Sequence, residues 1–279
     1  MPILLALCSA VVYGVGDYCG GRASRTQASI AVAALGQMVS LVLVGAAVLV
    51  MGTPAPSLAT WGWSAAAGVI GALGIVGLYH GFAHGDVSVV APTSAVVGAV
   101  VPVVAGLAMG ERPSGLALIG IVIAVTAVAL VSGAIGTHQH NTPPRIVLLA
   151  VGVGGCFGLL FVFLERTDHA SGMWPLVVAR FASVPLLFAI GGLARVRVQR
   201  ERSSLQFAVV AGVFDMGANV LYLLASRGGL LSIVAVVSSL YPASTVALAF
   251  GLDKERVTKW QGIGLGAAAL ALVLVSLSR

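Results

Sequence analysis

"GDVSVVAPTSAVVGAVVPVVAGLAMGERPSGLALIG" (residues 85–120) has a second copy in the same chain, "GLLSIVAVVSSLYPASTVALAFGLDKERVTKWQGIG" (229–264). The shift of 144 residues places Ser88 on Ser232, Ala91 on Ala235 and Ser94 on Ser238. Glu111-Arg112 falls on Glu255-Arg256, and Ile119-Gly120 on Ile263-Gly264. Without a gap, the same shift carries Gly14 onto Gly158, Arg22 onto Arg166 and Ala67-Gly68-Val69 onto Ala211-Gly212-Val213. A bias toward Val and Ala inflates such matches, but a Glu-Arg pair following a serine-bearing apolar run is harder to obtain by chance.

The repeated unit is membrane-like. The 279 residues are 59% hydrophobic and 9% charged, with a mean hydropathy of +1.06. A soluble domain carries roughly 25% charged residues, so this composition cannot cover a water-facing surface. Runs of about 20 apolar residues cross a bilayer as helices. Ten are predicted: 3–21, 29–51, 61–82, 86–109, 114–135, 145–164, 173–193, 204–225, 230–251 and 258–277. The first of them lacks the basic start of a signal peptide and is read as a span. The polar stretch "GTHQHNTPPR" (136–145) separates the halves. The expectation is a first five-helix repeat over 1–135, a linker over 136–144 and a second five-helix repeat over 145–279. Five spans per copy is an odd number, so the second copy must insert upside down. The expected fold is therefore an all-α membrane protein, ten transmembrane helices arranged as two inverted five-helix repeats. Inverted repeats of this kind build alternating-access transporters with a midplane site.

At these residues the chain resembles the EamA family of the drug/metabolite transporter superfamily. The resemblance is carried by "LYHGFAHGDVSVVAP…GERPSGLALIGIVIAVTAVALVS" and its partner "LYLLASRGGLLSIVAVVSSLYP…DKERVTKWQGIGLGAAALALVLVS". It covers essentially the whole chain. It implies a central cavity surrounded by the first four helices of each repeat, with the fifth and tenth helices peripheral. One departure stands out: the family proline before the Glu-Arg pair is Pro242 in the second copy, where the first has Gly98, flanked by Pro92 and Pro102. The two halves are not expected to bend alike.

Charge gives a second view of orientation. The resemblance implies cytoplasmic termini. The connectors on the other side then hold Arg22, Arg25, Arg145, Arg195, Arg197, Arg200, Arg202, Lys254, Arg256 and Lys259. The side of the termini holds only Arg112, Arg166, Arg227 and Arg279. The positive-inside rule favours the reverse placement, so the two readings conflict.

Asp215 stands at the centre of the eighth span. An Asp there costs ~3 kcal/mol on insertion scales, and neighbouring Leu, Phe and Val return ~0.3–0.6 kcal/mol each. The helix inserts, but the carboxylate should not face lipid. Asp215, Asn219 and Tyr222 share one stripe at i, i+4 and i+7. Arg180, in the seventh span, lies at similar depth, ~17 Å from the same surface, and is the natural ion partner if the two spans are antiparallel neighbours. The pair is read either as a structural clamp or as part of a cavity that binds solute or a coupling proton. Its shifted counterparts are Gly36 and Gly71, so the site is expected to be asymmetric. Asp17 shares a face with Ser9 and Tyr13. Its nearness to Arg22 favours interfacial anchoring over a cavity role. Gln37 and Ser40 are weaker lining candidates.

Other polar groups read as bland. His80 and His84, with Asp86, lack a third metal ligand of matching depth, so neither a metal nor a cofactor is expected. "HQH" at 138–140 belongs to the linker. Trp61, Trp63, Trp174 and Trp260 fit interfacial anchors, and the Glu-Arg pairs fit helix caps. Cys8, Cys19 and Cys156 fit small packing residues.

No "GxxxxGK[ST]" loop is present, so energy must come from a gradient or the solute itself. The expected function is a secondary transporter, in the export direction, of small organic metabolites or drugs across a bacterial inner (plasma) membrane. The alternative is a membrane-embedded enzyme acting on lipid-like substrates. Expected partners are a small-molecule solute and membrane lipids, with a homodimer as an open option. No basic stripe interleaved with aromatics points to nucleic acid.

Overall fold

The computed structural model describes residues 1–53, 55–83, 87–131, 144–196, 201–253 and 258–277. Among these residues the chain is all-α. The helices are α1 (Pro2–Ser24), α2 (Ser29–Met51), α3 (Leu58–Ala83), α4 (Val87–Ala108), α5 (Gly115–Val131), α6 (Pro144–Glu165), α7 (Trp174–Leu193), α8 (Arg202–Ser226), α9 (Leu231–Ser238), α10 (Tyr241–Asp253) and α11 (Lys259–Leu277), with a 3-10 turn at His169–Ser171. Six helices, α1, α2, α3, α6, α7 and α8, are long and apolar enough to cross a membrane. Shorter apolar helical stretches lie at Thr93–Ala108, Gly115–Leu130, Leu231–Thr245 and Lys259–Val275. The predicted linker, apart from Pro144 at the start of α6, lies outside the described residues, as do His84, Asp86 and Glu255-Arg256.

One predicted span is not a single helix. The stretch 230–251 breaks between α9 and α10. Pro242 offers no N–H and disfavours helical backbone at the residue before it. The end of α9 is closed by the Ser239 N–H donating to Ala235 O at 2.8 Å and the Leu240 N–H to Val237 O at 3.2 Å. In the first half, α4 carries Pro92 and Pro102 and runs unbroken from Val87 to Ala108.

Packing relies on small residues, as expected where lipid offers no hydrophobic force between helices. The α1–α8 and α3–α6 pairs are intimate. A Cβ added at Gly16 would stand 3.3 Å from the Asp215 nitrogen, and one at Gly212 would stand 2.7 Å from the Gly36 Cα. Serine hydroxyls donate across these seams: Ser9 to Ala218 O at 2.8 Å, Ser40 to Gly212 O at 2.9 Å and Ser204 to Ala23 O at 3.0 Å.

The seventh and eighth spans are not the close neighbours expected from sequence. Helix α7 packs chiefly on α3 and α2, and α8 on α1 and α2, so α2 bridges them. Two apolar clusters mark the ends of the bundle. One joins Ala23, Ile30, Tyr79, Val153, Leu187 and Ala208. Here α1, α3 and α7 finish and α2, α6 and α8 begin, and the flanking residues include Arg22, Arg25, Arg195 and Arg202. The other joins Ala6, Val48, Leu164, Met173, Leu223 and Leu231. These are called the arginine-rich end and the opposite end below.

Candidate functional site

Helices α7 and α8 bring one cation and one carboxylate together across α2. Arg180 Nη2 donates to Asp215 Oδ2 at 2.7 Å, with Arg180 only 3% exposed and Asp215 29%. Asn219, one turn along α8, donates from Nδ2 to the Asp215 carbonyl at 2.8 Å and to Oδ1 at 3.3 Å. On α2, Gln37 accepts a 2.8 Å hydrogen bond from Ser183 Oγ on α7. The glycines at the shifted positions serve packing: Gly36 lies against Gly212, and Gly71 faces the Leu160 side chain.

A cavity of about 50 Å³ opens beside this network. Its walls include Tyr13, Asp17, Gln37, Arg180, Asp215 and Asn219. That volume holds a few waters, each of which needs roughly 10–15 Å³ of probe-occupied space, and no organic solute. A further space of about 20 Å³ shares Gln37, Ile75 and Asp215 with it and reaches Tyr79 near the arginine-rich end.

Asp17 belongs to this wall and not to the interface. Arg22, the partner that its sequence position suggested, instead hydrogen-bonds Tyr18 at 3.2 Å and lies over the Phe207 ring. Among the described residues Asp17 has no ion-pair partner. When all three groups are ionised, the cavity therefore carries one net negative charge. Of the residues on this wall, Tyr13 and Arg180 each bury a polar atom without a hydrogen-bond partner, the Tyr13 hydroxyl and Arg180 Nε.

Tyr222 does not join the other candidates on the cavity wall. It is fully buried and stacks on Phe161, with ring centroids 4.2 Å apart. The i, i+7 spacing puts it on the Asp215 face, but about 10 Å further along α8, where α6 covers it. Tyr13 continues this aromatic layer, 6.2 Å from Phe161 and 6.5 Å from Tyr241 between centroids. Tyr13, Phe161 and Tyr241 of this layer are among the cavity's lining residues.

Several wall residues were not singled out from sequence. Ser239 and Tyr241 lie at the α9–α10 break, and Phe157, Phe161 and Ser94 are also part of the lining. Pro242 was the available signal for the first two, because a proline-induced break exposes the residues beside it. The aromatic residues gave none, since a phenylalanine in an apolar run looks alike whether it faces lipid or a cavity.

At the opposite end, Glu111 of the α4–α5 turn caps α9. The Leu231 N–H donates to Oε1 at 2.5 Å and the Ser232 N–H to Oε2 at 3.0 Å. A carboxylate suits this position because a helix N-terminus carries unpaired N–H groups and a positive dipole end.

Comparison with known proteins agrees with this architecture. No curated protein matches the sequence. A solved crystal structure, described only as that of a protein, superposes with a TM-score of 0.76, covering 98% of this chain and 96% of its own at 12% identity. That likeness concerns the fold alone. The EamA-like transporter family matches residues 1–133 and again 144–277. With its apolar helices and this twofold match, the chain is a multi-pass membrane protein that belongs to the EamA-like transporter family.

Proposed function

We propose that the protein is a secondary transporter that exports small organic solutes by alternating access, with the solute or its coupling proton taken up at the Asp17–Arg180–Asp215 cavity. The carrying observation is Asp17: a carboxylate that has no ion-pair partner among the described residues, on the wall of a central cavity, opposite a polar break in α9–α10. Intramembrane ionisable groups mark solute or ion pathways, and discontinuous helices at the midplane recur in such carriers. The small volume fits an occluded form, with the aromatic layer in its wall.

The inverted-repeat reading, with halves at 1–135 and 145–279, has support in paired contacts. Gly212 lies on Gly36 while Gly68 lies on Ala179; Gly14 meets Tyr241 and Ser244 while Gly158 meets Val101 and Pro102. With the halves exchanged, the 144-residue shift carries Gly212–Gly36 to within one residue of Gly68–Ala179, and Gly14–Ser244 to within one or two residues of Gly158–Val101 and Gly158–Pro102; Tyr241 falls on Val97, four residues from Val101.

The test is counterflow of a broad metabolite panel into liposomes holding the purified protein. Wild type is expected to move at least one solute, and Asp17→Asn to slow it at least about tenfold without lowering the melting temperature, because no ion pair is lost. An unchanged rate would remove Asp17 from the site. Lipid turnover without solute movement would favour the enzyme reading.

A further inference from the structure

A larger space lies away from the charged cavity. It is a groove of about 590 Å³ between α2, α7 and α8 at the arginine-rich end. That size falls within the ~300–1,000 Å³ of ordinary ligand pockets. Ile30, Leu35 and Leu187 form its walls, and Gln27, Ser204 and Arg195 are the polar groups of its lining. From Ile30 to Met38 the α2 wall runs about 12 Å along the helix axis, and Met38 and Phe188 on its rim are 40% and 54% exposed. The groove thus starts at the level of the helix ends, descends within one leaflet and opens sideways to lipid. Its apolar depth offers water no hydrogen-bond partners, whereas Gln27, Ser204 and Arg195 are the polar groups of the lining.

Arg195 occupies an unusual place. Helix α7 ends in a Schellman turn: the Val196 N–H donates to Gly191 O at 2.9 Å and the Arg195 N–H to Gly192 O at 3.0 Å. The left-handed residue of such a turn is usually glycine. Here it is Arg195, at φ 50°, the one non-glycine residue with positive φ among the described residues. A cation is held at the groove's mouth where glycine would be less strained. Arg25 and Arg202 flank helices at the same end, where Glu201 is the acidic neighbour, so the described arginines outnumber it there.

We infer that this groove seats an acyl chain of an anionic phospholipid, with the headgroup phosphate at Arg195. An apolar wall of acyl-chain depth, lateral access to the hydrocarbon and a cationic mouth at the membrane surface match both parts of that one molecule, and basic groups there attract anionic lipid. The site is independent of the transport reading, because none of its lining residues belongs to the cavity of Asp17.

Native mass spectrometry of the full chain in detergent tests the assignment, titrating dioleoyl phosphatidylglycerol against dioleoyl phosphatidylcholine. Wild type should retain one phosphatidylglycerol in preference to phosphatidylcholine, and Arg195→Gln should cut that preference about fivefold. Gly191→Leu should abolish retention of both, since a side chain there enters the groove and its Cβ meets no atom within 4 Å. Ala31→Leu fills the same space from α2 and serves if the first variant is not monodisperse. Equal retention of the two lipids by wild type, or unchanged phosphatidylglycerol binding in both filled variants, overturns the inference.

Discussion

Arg180 and Asp215 meet at 2.7 Å although their helices do not pack on one another. Their side chains reach past α2, whose Gly36 lies against the α8 backbone at Gly212. The glycine pair brings α8 close enough for the ion pair to form. Removing one partner strands the other charge inside the protein, which costs roughly 3–5 kcal/mol. Asp215→Leu should therefore lower stability by ~3 kcal/mol in reversible detergent unfolding. The double variant Arg180→Met with Asp215→Leu should regain most of that loss while leaving transport abolished. If the double variant regained transport too, the pair would be a clamp and nothing more.

Glu111 ties the α4–α5 turn to the first residues of α9, across the boundary between the halves. Loss of a helix cap costs ~0.5–2 kcal/mol, and the dipole adds to it when the acceptor is charged. Glu111→Ala is expected to destabilise by about 1–2 kcal/mol. Glu111→Gln should lose less, since its one carbonyl oxygen still accepts a hydrogen bond. Equal melting curves for Ala, Gln and wild type would show that the cap contributes nothing to the folded state.

Orientation follows from the arginine-rich end. Positive residues concentrate in cytoplasmic connectors, so that end should face the cytoplasm and both termini the other side. A single cysteine at Ser203, with Cys8, Cys19 and Cys156 replaced, should resist a membrane-impermeant maleimide in intact cells and react after permeabilisation. Labelling of intact cells would restore the cytoplasmic termini implied by the family resemblance.

Most helix limits were legible because apolar run length is a local property: α2 begins and ends where its run does, at 29 and 51, and α7 ends with its run at 193. The exception was local too. Pro242 lay in view, yet composition alone does not say whether a proline bends a helix or stops it. Depth was also legible, since 1.5 Å per residue places Arg180 and Asp215 at one level. Neighbour relations were not. The antiparallel α7–α8 contact was a natural guess from chain order, and α2 takes its place.

By itself, then, the sequence determined that the chain spans a membrane, that it repeats itself after 144 residues and that its second half alone carries an Arg–Asp pair at mid-depth. These depend on composition, spacing and the rise of a helix, all readable along one dimension. Only the tertiary structure decided who faces whom. It turned Asp17 from Arg22 to the cavity, buried Tyr222 behind Phe161 and brought Ser239 and Tyr241 to the wall. Each outcome hangs on which helix covers a given face, and that is set by close backbone approach at residues such as Gly36 and Gly212, whose partners are far away in sequence.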